Sequence, residues 1–71
     1  MANTMIKTTA QYRAFAAANA TSDFEGHDIE RVARLVLATR KRRIDRSAAE
    51  MVANIKRNEP ALFQHVLAAL A

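Results

Sequence analysis

Residues 28–41 read DIERVARLVLATRK, and the placing of the apolar residues within that stretch decides the fold. On a helical wheel Ile29, Val32, Ala33, Val36 and Leu37 make one apolar arc, whereas Arg31, Arg34, Lys41 and Arg42 gather on the other side. The amphipathic pattern stays clean until Arg40. Beyond it the wheel would put Arg40 and Arg43 on the buried side, so the helix either ends near Arg40 or projects past the core.

The segments on either side carry helical signals of their own. Upstream, Thr8 and Gln11 have capping-box spacing, and Tyr12, Phe15, Ala16 and Asn19 fall on one face behind them. Between this helix and the next lies the polar run Thr21 to Asp28. It offers two helix starts, a Ser22–Glu25 capping box and Asp28 following Gly26, of which Asp28 is the preferred cap. Downstream, Ser47 and Glu50 form a Ser-x-x-Glu box directly before Met51, Val52 and Ile55. Asn58 is suited to end that helix. Glu59, placed before Pro60, is pushed out of the α region, so a new helix opens at Pro60.

The prediction is an all-α bundle of four helices, at roughly 8–20, 28–41, 47–57 and 60–70, with helices 2 and 3 as a helix-turn-helix-like pair. Residues 1–7 are expected to be a flexible segment ahead of one helical domain, 8–71. A single Gly and a single Pro leave little turn chemistry for a strand-rich fold, and sixteen Ala favour helix at most positions. At 71 residues the chain is one domain with a thin margin of stability, and its 51% hydrophobic content is that of a folded protein.

Composition also excludes functions. With no cysteine there is no disulfide and no thiolate for metal binding or attack, which suits a reducing cytoplasm. The first twenty residues hold no long apolar run of the kind a secretory leader needs. The longest apolar stretch, Val66 to Ala71, is far short of the ~20 residues that span a bilayer. The expected protein is cytoplasmic and soluble, with no membrane partner.

Catalytic and metal chemistry find little to stand on. His27 and His65 lie in different segments and belong to no metal-ligand spacing. Asp23, Glu25 and Asp28 around His27 are accounted for by the helix dipole, which favours acids at a helix start. One glycine cannot build a phosphate loop. The hydroxyl of Ser47 is engaged by its expected capping role, and Met51 reads as a core residue. The expectation is a non-enzymatic protein without cofactor or metal.

One asymmetry remains. Residues 1–39 carry four basic side chains (Lys7, Arg13, Arg31, Arg34) and four acids (Asp23, Glu25, Asp28, Glu30). Residues 40–57 carry seven basic ones (Arg40, Lys41, Arg42, Arg43, Arg46, Lys56, Arg57) against Asp45 and Glu50. The window's net +5 more than accounts for the chain's +4, since residues 1–39 sum to zero and the remainder carries only Glu59. Such a field attracts polyanions, and the prevalence of Arg over Lys suits planar contact with phosphate. Double-stranded DNA is the expected partner, with Arg40, Lys41, Arg42, Arg43, Arg46, Asn54, Lys56 and Arg57 as the binding set. Arg46, Glu50, Asn54 and Arg57 align on the outer face of helix 3. Against groove reading stand the missing turn glycine, the short side chains of Ala48, Ala49 and Ala53, which offer bases no hydrogen bonds, and Glu50, which would repel phosphate if it faced the DNA backbone. The basic window also lacks the aromatics that stack on single strands or RNA.

The alternative is a protein partner, met by the basic segment or by helix 4, on which Leu62, Phe63, Val66, Leu67 and Leu70 cover most of the surface. A helix apolar on nearly all sides must be buried on nearly all sides. These five residues are therefore expected at or beside a homodimer interface.

Overall fold

A computed structural model describes residues 6–40 and 46–71. They form four helices and, among the described residues, no strand: α1 (Thr9–Asn19), α2 (Gly26–Thr39), α3 (Arg46–Asn58) and α4 (Pro60–Leu70). The expected all-α bundle is the observed fold. None of these helices is long and apolar enough to cross a membrane.

The N-terminus of α1 is built as its spacing predicts. Thr8 Oγ1 accepts the Gln11 amide at 3.1 Å, and Gln11 Oε1 accepts the Thr8 amide at 3.0 Å. The same Gln11 oxygen accepts the Lys7 amide at 2.6 Å, and Ile6 is buried, so the residues just before the helix are already attached to it. Three amides left without helical partners are thereby satisfied.

Both expected starts of α2 give way to another arrangement. Thr21, not Ser22, holds the turn: its hydroxyl accepts the amides of Asp23 and Phe24, each at 3.1 Å, while its own amide donates to the Phe24 carbonyl. The helix then opens at Gly26, two residues before Asp28, with Glu25 at the N-cap and no side-chain cap bond. The Glu25 carbonyl accepts from both Asp28 and Ile29, which puts Asp28 inside the first turn. Its carboxylate lies 3.2 Å from Arg31 Nη2 instead of capping the helix. At the other end α2 closes at Thr39, with Arg40 as C-cap; position 41, expected to be its last residue, lies outside the described residues.

α3 begins at Arg46, so Ser47 is a helical residue and not the cap that its spacing with Glu50 suggested. The junction with α4 is short. The Glu59 amide still donates to the Ile55 carbonyl at 2.7 Å, Glu59 then leaves the α region (φ −134°, ψ 60°), and its carbonyl accepts from Phe63 in the next helix. Steric exclusion by the proline ring accounts for the break, and Pro60 takes the first helical position, where no amide is needed.

The central helix is α2, which packs against α1, α3 and α4. Ile29, Val32, Ala33 and Val36 of the predicted arc are buried, and Leu37 sits half-buried at its edge. Ala16, Ile55, Leu62, Phe63 and Val66 complete the core, with Tyr12, Phe15, Phe24, Val52, Leu67 and Leu70 packed around it. Leu62, Phe63 and Val66 are thus covered by the chain itself. Only Leu67 and Leu70 of the expected dimer-interface set keep partial exposure. Met51 departs from its expected core role and is 51% exposed. Ala48, Val52 and Ile55 set the inward stripe of α3, and Met51 lies past its edge, a turn of roughly 100° from Val52.

His65 joins three segments. Its Nε2 lies 2.8 Å from the carbonyl oxygen of Asn19 at the end of α1, and its ring stands 5.0 Å from that of Phe24. The histidine is therefore a packed, hydrogen-bonded side chain between α4, the end of α1 and the following turn.

Candidate nucleic-acid interface

Apart from Lys7 and Arg13, which are exposed and form no ion pair among the described residues, the described cations fall into two groups that the sequence alone did not separate. Those of α2 are paired. Arg34 reaches Glu30 through Nε at 3.1 Å and Nη2 at 3.0 Å, and its guanidinium carbon lies 4.4 Å from the centroid of the Tyr12 ring. Arg31 Nη2 bridges Asp28 at 3.2 Å and Glu59 at 3.7 Å. The local pairs use the i,i+3 and i,i+4 spacings at which helical side chains meet. That spacing is visible in the sequence; the contacts with Tyr12 and Glu59 come only with the fold.

The second group is the expected binding window. Arg40 is exposed at the C-cap of α2, Arg46 at the first position of α3, and Lys56 and Arg57 in its last turn. Among the described residues Arg40, Arg46, Lys56 and Arg57 form no ion pair. Arg57 donates through Nη2 to Asn54 Oδ1 at 2.5 Å, and both side chains are exposed. Lys41, Arg42 and Arg43, expected in the same set, lie outside the described residues. Lys56 and Arg57 also face the negative end of the α3 dipole, a role they fill without any ligand.

The fold brings Arg46, Glu50, Asn54 and Arg57 onto solvent-exposed surface of α3, as the wheel suggested. Sequence reasoning missed Met51, whose exposure follows from its place just outside the buried stripe. Met51 and Leu35 meet in an open groove between α2 and α3, bordered by His27, Glu30, Arg31 and Arg34.

At the start of α2, Glu25, His27 and Asp28 bring potential ligand atoms within 4.8 Å of one another. Glu25 addresses Nδ1 of the imidazole at 3.2 Å and Asp28 addresses Nε2 at 3.4 Å. The ring stands between two carboxylates that face its opposite nitrogens, which is not convergence on one point. Asp28 is moreover held by Arg31.

Compared with protein-family models, curated proteins and solved structures, the chain matches none.

Proposed function

We propose that this chain is a small, non-enzymatic protein of the cytoplasm that binds double-stranded DNA through the basic segment 40–57 and serves as a regulator or accessory factor. One contrast supports the reading. The arginines of α2 are neutralised within the chain, whereas Arg40, Arg46, Lys56 and Arg57 stand exposed without a carboxylate partner among the described residues. Guanidinium and ammonium groups without a carboxylate partner are free to displace counterions from phosphate without first breaking an ion pair. Among the described residues Arg57 alone of the four carries a side-chain bond, to the neutral Asn54. Retention on duplex DNA at increasing salt is the test. Binding should weaken with a log–log slope of about −0.9 for each phosphate contacted. Absence of salt-sensitive retention, even at low ionic strength, would remove the proposal.

A protein partner is the second reading, favoured by exposed Met51 beside Leu35, since a flexible thioether adapts to varied apolar side chains. A homodimer through α4 would have Leu67 and Leu70 as its remaining apolar contacts. Light scattering at high micromolar concentration separates dimer from monomer.

A further inference from the structure

The outward face of α3 carries more than cations. Glu50, Met51, Asn54 and Arg57 are all exposed, and at roughly 100° per residue they share a sector about 120° wide. Ala48, Val52 and Ile55 turn inward; Glu50, Asn54 and Arg57 lie well away from that stripe, and Met51, about 40° from Ile55, forms the edge of the exposed sector that borders α2. From Glu50 to Arg57 the helix rises about 10 Å. That is the length of roughly three stacked base pairs at ~3.4 Å each.

Resting on the duplex-DNA reading above, we infer that α3 lies in the major groove and reads base edges with Glu50, Met51, Asn54 and Arg57, so that binding is sequence-selective. A surface made only to hold phosphate has no use for a carboxylate, and Glu50 would weaken it. It has no use either for Met51, the large hydrophobic side chain that is exposed among the described residues. Both acquire a role at base edges. A carboxylate accepts from the cytosine amino group, and an apolar side chain meets the thymine methyl. An asparagine amide matches adenine, and a guanidinium matches guanine. The Arg57–Asn54 hydrogen bond orients the amide while leaving its NH2 donors and a second lone pair on its oxygen.

The surroundings fit the same occupant. Arg46 at the start of α3, Lys56 on its flank and Arg40 at the end of α2 are exposed and offer positive charge to the phosphates that border a groove. A helix with its side chains is about 10–12 Å across. The major groove is about 12 Å wide. Glu50, Asn54 and Arg57 are exposed away from the inward stripe through which α3 meets the core, and Met51, at the sector's edge, keeps about half its surface exposed beside Leu35 of α2.

The test is selection from a double-stranded oligonucleotide library randomised at its centre, with the wild-type chain as bait, followed by competition between the winning duplex and its single-base variants. Enrichment of a core of about three base pairs is expected. Asn54→Ala should lower discrimination at one position of that core by about 5- to 150-fold, and Met51→Ala should relax a different position, one that contains thymine. Circular dichroism checks that each variant remains folded, and the two variants report independently. Salt-sensitive binding by the wild type without any enriched core would overturn base reading and leave the DNA proposal standing. So would an enriched core that both variants read as well as the wild type. Failure to bind duplex DNA at all would remove both.

Discussion

The guanidinium of Arg34 lies over the ring of Tyr12, 4.4 Å from its centroid, and so attaches α1 to α2 at the surface. The same side chain holds Glu30 through two nitrogens. A cation over an exposed ring contributes about 0.5–1 kcal/mol. An i,i+4 pair adds about 0.3–0.5 kcal/mol. Arg34→Ala should therefore cost about 1 kcal/mol in all, lowering the melting temperature by about 4–8 °C. Arg34→Lys, which keeps the charge and loses the planar contact with the ring, should recover only part. A melting curve unchanged in Arg34→Ala would mean that the contact contributes nothing in solution.

Ile29 and Val66 are fully enclosed. Truncating such a residue removes its transfer energy and leaves a cavity, and Ile29→Ala should cost about 2–5 kcal/mol. For a domain with ~5–15 kcal/mol in total, that is a large fraction. Urea denaturation should show a lower midpoint with little change in slope. Met51→Ala, at a residue 51% exposed, should fall within about 0.5 kcal/mol of wild type. Equal losses at the two positions would place Met51 in the core after all.

Gly26 opens α2 against Ala16, and its backbone angle is not positive. A Cβ there would stand 3.8 Å from the Ala16 carbonyl oxygen and 3.9 Å from the Ala16 Cβ, which is ordinary contact. Gly26→Ala should therefore stabilise the chain by about 0.4–1 kcal/mol, chiefly by narrowing the unfolded ensemble. The measurement is the denaturation midpoint. A lower midpoint would show that the α1–α2 approach is tighter than these distances imply.

The two groups of cations should separate in DNA binding. Replacing Arg40, Arg46 or Lys56 with Ala should flatten the salt dependence, each by about 0.9 in log–log slope if it meets a phosphate. Arg31→Ala should leave the slope as it was, because Asp28 and Glu59 already engage that side chain. Helicity should survive all four changes, as none of these side chains is in the core. Equal flattening by Arg31→Ala would mean that the internal pairs open on binding and that pairing does not define the surface.

Much of this was legible in the sequence wherever one periodicity settled the matter. The arc from Ile29 to Val36 became the centre of the core, and the Thr8–Gln11 spacing became a capping box. Pro60 marked the start of α4 because a proline restricts its neighbour wherever it stands. The failures came where local signals competed. Ser22, Asp28 and Ser47 all resemble caps, but a hydroxyl or carboxylate caps only if the backbone stops there. Thr21 had already taken the turn amides, while α3 starts ahead of Ser47. The wheel placed Met51 near the apolar side without revealing how far round α2 and α4 reach. The same limit applied to α4, where the sequence did not show that Leu62, Phe63 and Val66 are covered within the chain while Leu67 and Leu70 stay partly exposed. For the candidate site the basic window was plain from its count of charges. Which cations are spent internally was not, since Tyr12 and Glu59 approach Arg34 and Arg31 only through the fold.

The junction at Glu59 leaves α3 and α4 no slack. One residue separates them, and its amide and carbonyl are both held, the first by Ile55 and the second by Phe63. α3 is therefore joined at its C-terminal end directly to a buried helix, and on the duplex-DNA proposal it acts as a probe. An arm so mounted loses little configurational freedom when it seats in a partner, and any sideways load on it is delivered directly to Leu62, Phe63 and Val66. Lengthening the joint by a few glycines would leave the helices and their charges in place. It would turn a rigid stylus into a tethered one.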